Sequence, residues 1–171
     1  ITPNRFLLLS NLSTFEPTSW AWSFSPSTVT YTGGTSETSQ NPKVIFDAAG
    51  LYTVTLTSTN DYGSSDPEVK TDFINVYTAP VVTADPSSIT AQWGDDVSFT
   101  STASGVPAPT VQWQLSTNGG GTFSDITDET STTLNLSCIT LDMSGYQYQA
   151  VFTTVCCTAT SLPATLTVTE K

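Results

Sequence analysis

Apolar and polar positions alternate with a period of two through most of this chain. The clearest stretch is Gly50–Asn60, where Tyr52, Val54 and Leu56 fall on one side and Leu51, Thr53, Thr55 and Thr57 on the other. Successive side chains of a strand point to opposite faces, so this pattern predicts a sheet with one dry and one wet face. The design returns at residues 145–152, Gly-Tyr-Gln-Tyr-Gln-Ala-Val-Phe. Each copy is a glycine, a tyrosine near the start of an alternating strand, then a turn and a last strand. Two copies predict two all-β domains in tandem, residues 1–77 and 78–171.

The first half reads as follows. Residues 5–12 form a strand entering a turn. Trp20, Trp22 and Phe24 alternate with small residues and predict a strand whose aromatic face is core, although three aromatics on one face also suit a sugar platform. Val29 and Tyr31 mark a further strand. Val44 and Phe46 face inward ahead of the central strand, whose Tyr52 is assigned to the core. Asn60-Asp61-Tyr62-Gly63 is a hairpin turn, because Asn, Asp and Gly tolerate the left-handed backbone it requires. Residues 69–77 are the return strand. No strand leads into residues 5–12, so the first domain is expected to lack one. Thr78-Ala79-Pro80 is a very short linker, and Pro80 fixes one backbone angle; a stiff, end-to-end pair is expected.

In the second half, Val81–Ala84 and residues 88–91 read as a split first strand. Val97, Phe99 and Ser101 alternate inward. Trp113 belongs at the centre of the core. Asn118-Gly119-Gly120-Gly121 is a hairpin signal. Leu134, Leu136 and Ile139 face inward, and residues 164–168 close the domain.

These residues carry two resemblances. Ser19-Trp20-x-Trp22-x-Phe24, Asn41-Pro42-x-Val44-x-Phe46, Gly50-x-Tyr52-x-Val54-x-Leu56 and Asn60-x-x-Gly63 resemble a PKD domain. That family implies an Ig-like β-sandwich serving as a spacer or adhesive module. The family's acidic Gly-Asp-Gly turn is replaced here by Ser25-Pro26-Ser27. The second half resembles an immunoglobulin-like domain through Asp142-x-Ser144-Gly145-Tyr146-x-Tyr148. There the resemblance implies a tyrosine corner at Tyr146, its hydroxyl tying down the preceding turn. It places the family's two bridging cysteines at Ser101 and Tyr148, so that disulfide is absent. Losing such a bridge costs about 2–5 kcal/mol, and burying a large side chain at position 148 returns about 1.5–3 kcal/mol. Both halves resemble repeat units of large bacterial cell-surface proteins, adhesins among them.

Charge narrows the partners. The net charge is −11 with only Arg5, Lys43, Lys70 and Lys171 basic. Such a surface repels phosphate backbones and anionic membranes, so neither nucleic acid nor membrane insertion is expected. The chain contains no histidine, which removes the commonest general base and metal ligand. No catalytic residue is assigned, and no cofactor is expected apart from weak calcium candidates among loop carboxylates: Asp95, Asp96, Asp125 and Asp128, with Asp61, Asp66, Glu68 and Glu129. Cys138 is expected far from Cys156 and Cys157, because about eight residues of strand separate them, ~26 Å. The adjacent pair is left as a vicinal disulfide, reduced thiols or a cross-link between chains. Trp93, just before the Gly94 turn, is a candidate ligand contact together with Tyr31; its alternative is packing across the inter-domain seam.

The expectation is therefore a non-catalytic extracellular or cell-surface module, a spacer or adhesion repeat. Its partners would be neighbouring domains of the same chain, glycans or other surface proteins. One rival is a carbohydrate-binding accessory module of a secreted polysaccharide hydrolase; a second is a subunit of a surface filament.

Overall fold

The computed structural model describes residues 1–2 and 5–171, and it divides into two compact units, Ile1–Thr78 and Ala79–Lys171. Both are all-β.

The first unit contains β1 (Phe6–Leu8), β2 (Ser19–Ser25), β3 (Val29–Thr32), β4 (Lys43–Phe46), β5 (Gly50–Asn60), β6 (Gly63–Ser64) and β7 (Glu68–Val76). One sheet runs β1-β4-β3; the other places β5 between β2 and β7, with β6 folded back on the end of β5. β5 earns its central place by length and alternation: Tyr52 and Val54 are buried while Thr53 and Thr55 are half-exposed. Against them pack Trp22 and Phe24 from β2, Val44 and Phe46 from β4, and Ile74 and Val76 from β7. Phe46 meets Phe24 edge to face at 5.8 Å and Tyr52 at 4.8 Å, the arrangement that ring quadrupoles favour. Two expectations are narrowed. Only Phe6–Leu8 of residues 5–12 is strand. Trp20 is half-buried, because it sits nearer the end of β2 than Trp22 does. β7 also carries an irregularity that periodicity does not show: its register on β5 shifts between Tyr52 and Val54, and Asp72 takes a φ of 50° there.

The second unit contains β8 (Val81–Ala84), β9 (Ile89–Gln92), β10 (Val97–Thr100), β11 (Thr102–Ser104), β12 (Thr110–Ser116), β13 (Ser124–Asp125), β14 (Thr133–Leu136), a single 3-10 turn at Leu141–Met143, β15 (Gln147–Thr153), β16 (Thr158–Thr160) and β17 (Ala164–Thr169). The larger sheet runs β13-β12-β15-β17-β9 with β16 on β15. On the other side β10 pairs β14, and β11 pairs β8. The split first strand thus serves both sides: β8 lies antiparallel to β11, and β9 runs parallel to β17 from Leu166↔Ile89 to Thr169↔Gln92. Trp113, Phe99, Leu134, Ile139, Tyr148, Phe152 and Leu166 form the core.

Ser101 and Tyr148, the positions that lack the family disulfide, are both fully buried. Ser101 interrupts the strand between β10 and β11, and its hydroxyl donates to the Ala84 carbonyl at 2.8 Å. Tyr148 stacks on Phe99 at 4.9 Å. The Trp113 indole N–H donates to the Ser131 carbonyl at 2.8 Å, so the largest core side chain is satisfied. Tyr146 departs from the implied tyrosine corner. Its ring packs against the core, but its hydroxyl has no hydrogen-bond partner among the described residues; the turn is tied through the backbone instead, Tyr146 N–H to Met143 at 3.1 Å and Gly145 N–H to Leu166 at 2.8 Å. A hydroxyl tether of that kind appears in the first unit. The Tyr52 hydroxyl donates to the Ala48 carbonyl four residues back, at 2.9 Å, and meets the Thr28 hydroxyl at 2.6 Å.

Candidate functional site

Four features are candidates for function, and each lies within one unit. The first is Trp93. It follows β9, its backbone N–H donates to the Thr169 carbonyl at 2.9 Å, and its side chain is 55% exposed. The backbone is thus held by the end of β17 while the indole stays open. Of the other tryptophans, Trp113 and Trp22 are buried and Trp20 is half-buried. Tyr31 does not join Trp93 as an open contact: it packs on the first core, meeting Phe24 edge to face at 6.3 Å, because β3 turns alternate side chains inward. Burial, and then the nearby Glu37 carboxylate, raise its phenol above the usual value.

The second feature is the set of loop carboxylates. Asp95 Oδ2 accepts from the Gln92 N–H at 3.0 Å, closing the turn after β9. Asp96 Oδ1 accepts from the Cys138 N–H at 2.8 Å, and Asp125 Oδ1 accepts from the Gln114 amide at 2.8 Å. Asp128 occupies a turn position with φ 65°. Asp95 and Asp96 thus accept from backbone N–H groups and Asp125 from a side-chain amide on the neighbouring strand; among the described residues, no three Asp, Glu, Cys or His side chains cluster where a metal could be held.

The third feature is the cysteine pair. Cys156 and Cys157 lie in the turn between β15 and β16, and Cys138 lies beyond β14 with φ 50°. All three are free. The Cys157 thiol donates to Cys156 Sγ at 2.7 Å. That hydrogen bond, and a second one with Thr154, lower the Cys156 pKa, while the same contact raises that of Cys157. The pair therefore has one thiol with a lowered pKa beside one that donates to it and has a raised pKa.

The fourth feature is a cleft in the first unit, which residue patterns alone did not reveal. It encloses about 1070 Å³. Leu7, Leu9, Trp22, Val54, Leu56 and Ile74 supply apolar wall, and Ser65, Asp66, Glu68 and Lys70 mark one end. Lys70 Nζ reaches Glu68 Oε1 at 2.7 Å across this rim. The other end is marked by Ile1, Asn75 and Tyr77. A smaller hollow of about 290 Å³ lies beside Phe15, Asn60 and Tyr62 at the β5–β6 turn.

Two tandem Ig-like sandwiches define the class of protein. Similarity to known proteins is consistent with that geometry. The chain matches the I-band fragment I67–I69 of titin with a TM-score of 0.66 over 99% of its own length and 61% of that chain, at 14% identity. It matches the amphioxus IgVJ-C2 molecule with a TM-score of 0.60 over 98% of both chains, also at 14% identity. Likenesses at that identity show the fold alone. Residues 7–76 match the PKD domain and residues 79–150 match the immunoglobulin domain. The chain therefore carries a PKD domain over residues 7–76 followed by an immunoglobulin domain over residues 79–150. Over 108 residues, 63% of its length, it is 42% identical to Endoglucanase C of Cellulomonas fimi. It spans only 9% of that relative.

Proposed function

We propose that this chain is a non-catalytic extracellular module, a spacer or adhesion repeat within a larger cell-surface or secreted protein. The observation that carries this reading is where the aromatic residues go. Trp22, Phe24, Phe46 and Tyr52 are committed to one core, and Phe99, Trp113, Tyr148 and Phe152 to the other. Asp95 closes a turn, Asp96 holds the Cys138 N–H and Asp125 holds the Gln114 amide. The likeness to Endoglucanase C, of which a chain of this kind would form a small accessory part, supports a secreted parent. Among the described residues no helix is long and apolar enough to cross a membrane.

A second reading, carbohydrate recognition, is favoured by the exposed Trp93, whose indole face is available to stack on a pyranose ring. The test is a polysaccharide and glycan binding screen of the chain beside Trp93→Ala. The spacer reading expects no saturable binding by either form. Saturable binding that the substitution abolishes replaces it with the carbohydrate reading.

A further inference from the structure

The turn between β15 and β16 brings together two thiols that a strand would hold apart. Neighbouring side chains of a strand point to opposite faces, so adjacent cysteines within β15 or β16 would not meet. Cys156 and Cys157 lie outside both strands, in the turn that follows the Thr153↔Thr158 pair. Buried Thr154 anchors that turn. Its N–H donates to the Cys157 carbonyl at 2.9 Å, and its hydroxyl lies 3.5 Å from Cys156 Sγ. With the backbone held in this way, the Cys157 thiol rests on Cys156 Sγ at 2.7 Å. Cys156 is exposed, Cys157 is half-buried beside it, and Val155 at the tip is 71% exposed.

The two sulfurs are unequal. The hydrogen bond from Cys157, and then the one with Thr154, lowers the Cys156 pKa; the same contact raises that of Cys157. The thiolate is the attacking species in exchange with a disulfide. The more exposed sulfur is therefore also the readier to attack, and its neighbour keeps a proton at contact distance. Cys138 is engaged elsewhere, its N–H held by Asp96 at 2.8 Å. Among the described residues no group of three Cys, Asp, Glu or His side chains is placed to hold a metal ion, so the pair is read by its sulfur chemistry.

We propose that the Cys156–Cys157 turn is a dithiol–disulfide exchange site whose substrate is an external disulfide. The Cys156 thiolate attacks one sulfur of that disulfide and forms a mixed disulfide; the other sulfur leaves as a thiolate and takes up a proton. Cys157 then gives up its proton, and its sulfur attacks Cys156 Sγ. A Cys156–Cys157 bond forms, the bond to the external sulfur breaks, and the second external thiolate is protonated. Two thiols of the turn are oxidised, and one external disulfide is reduced to two thiols. Cys156 is the attacking sulfur and Cys157 the resolving one.

The test exposes the reduced 171-residue chain to oxidised glutathione at neutral pH, stops the reaction with N-ethylmaleimide and reads chymotryptic peptides by mass spectrometry. Cleavage after Leu136, Leu141, Phe152 and Leu166 separates Cys138 from the pair. The peptide of the pair is expected to lose two hydrogens and take no maleimide, while that of Cys138 carries a maleimide or a glutathione. Cys157→Ser keeps a hydroxyl donor beside Cys156 but removes the resolving sulfur. It is expected to trap the glutathione adduct on Cys156 at about tenfold or more the level in the unchanged chain, since a sulfur already in contact resolves the adduct fastest. Cys156→Ser is expected to gain its adduct, on Cys157, more slowly than Cys157→Ser does. A persistent adduct on the pair of the unchanged chain would overturn the proposal. So would equal rates in the two serine forms, or a disulfide from either cysteine to Cys138 or to a second copy.

Discussion

Tyr52 and Tyr148 are each the most deeply buried tyrosine of their unit, and their hydroxyls meet opposite fates. Tyr52 donates to Ala48 and meets Thr28. The Tyr148 hydroxyl is buried with no hydrogen-bond partner among the described residues. An apolar ring earns the same burial in both places, yet a polar atom taken out of water without a partner costs about 1–3 kcal/mol. The first unit thus uses its tyrosine as a tether between a loop and the core. The second uses its tyrosine as bulk where the family disulfide would stand.

Three substitutions sharpen that contrast. Trp113→Ala should have the largest effect, destabilising the second unit by about 3–5 kcal/mol through the cavity it leaves and the unpaired Ser131 carbonyl. Urea unfolding followed by residue-resolved NMR should show β5 amides unaffected. Tyr52→Phe should cost the first unit about 1–3 kcal/mol, because the Ala48 carbonyl loses its donor. Tyr148→Phe should run the other way and stabilise the second unit by about 1 kcal/mol, since it removes only an unsatisfied hydroxyl. Equal signs for the two tyrosine variants in the same urea series would break the comparison.

A pH titration gives the smaller effect. Burial, with a lesser contribution from Tyr146, pushes the Tyr148 phenol from 10.0 up to about 12. Between those values the unfolded chain loses a proton that the folded chain keeps. Stability is therefore intact below pH 10 and falls as the pH rises toward 12. Tyr148→Phe should flatten the second unit's share of that decline, measured as the urea midpoint at successive pH values.

The sandwich architecture was legible because it rests on alternation. Tyr52, Val54, Phe99, Trp113 and Leu134 announce their burial by position alone, and β8 and β9 announce a split strand. Legibility stops where backbone geometry takes over. Nothing in the residues around Thr71 and Asp72 marks the shifted register of β7. Tyr146 sits in a convincing motif, yet where its hydroxyl points depends on the turn beneath it. Tyr31 alternates with threonines, a pattern equally suited to an open face and to a thin core. The cleft was not legible, because its lining is gathered from β1, β2, β5, β7 and the loop after β1, and no one stretch of alternation carries it. Trp93 stands just before a turn, and its side chain remains largely open.

The parallel pairing of β9 with β17 has a mechanical consequence. A pull on the two ends of the second unit draws these strands in opposite directions along their common axis. The ladder from Leu166↔Ile89 to Thr169↔Gln92 then bears the force together, in shear, whereas a hairpin would open one rung at a time. Survival under tension depends on the rate of unfolding rather than on equilibrium stability. The rungs from Leu166 to Thr169 should therefore set how long the second unit withstands a stretch.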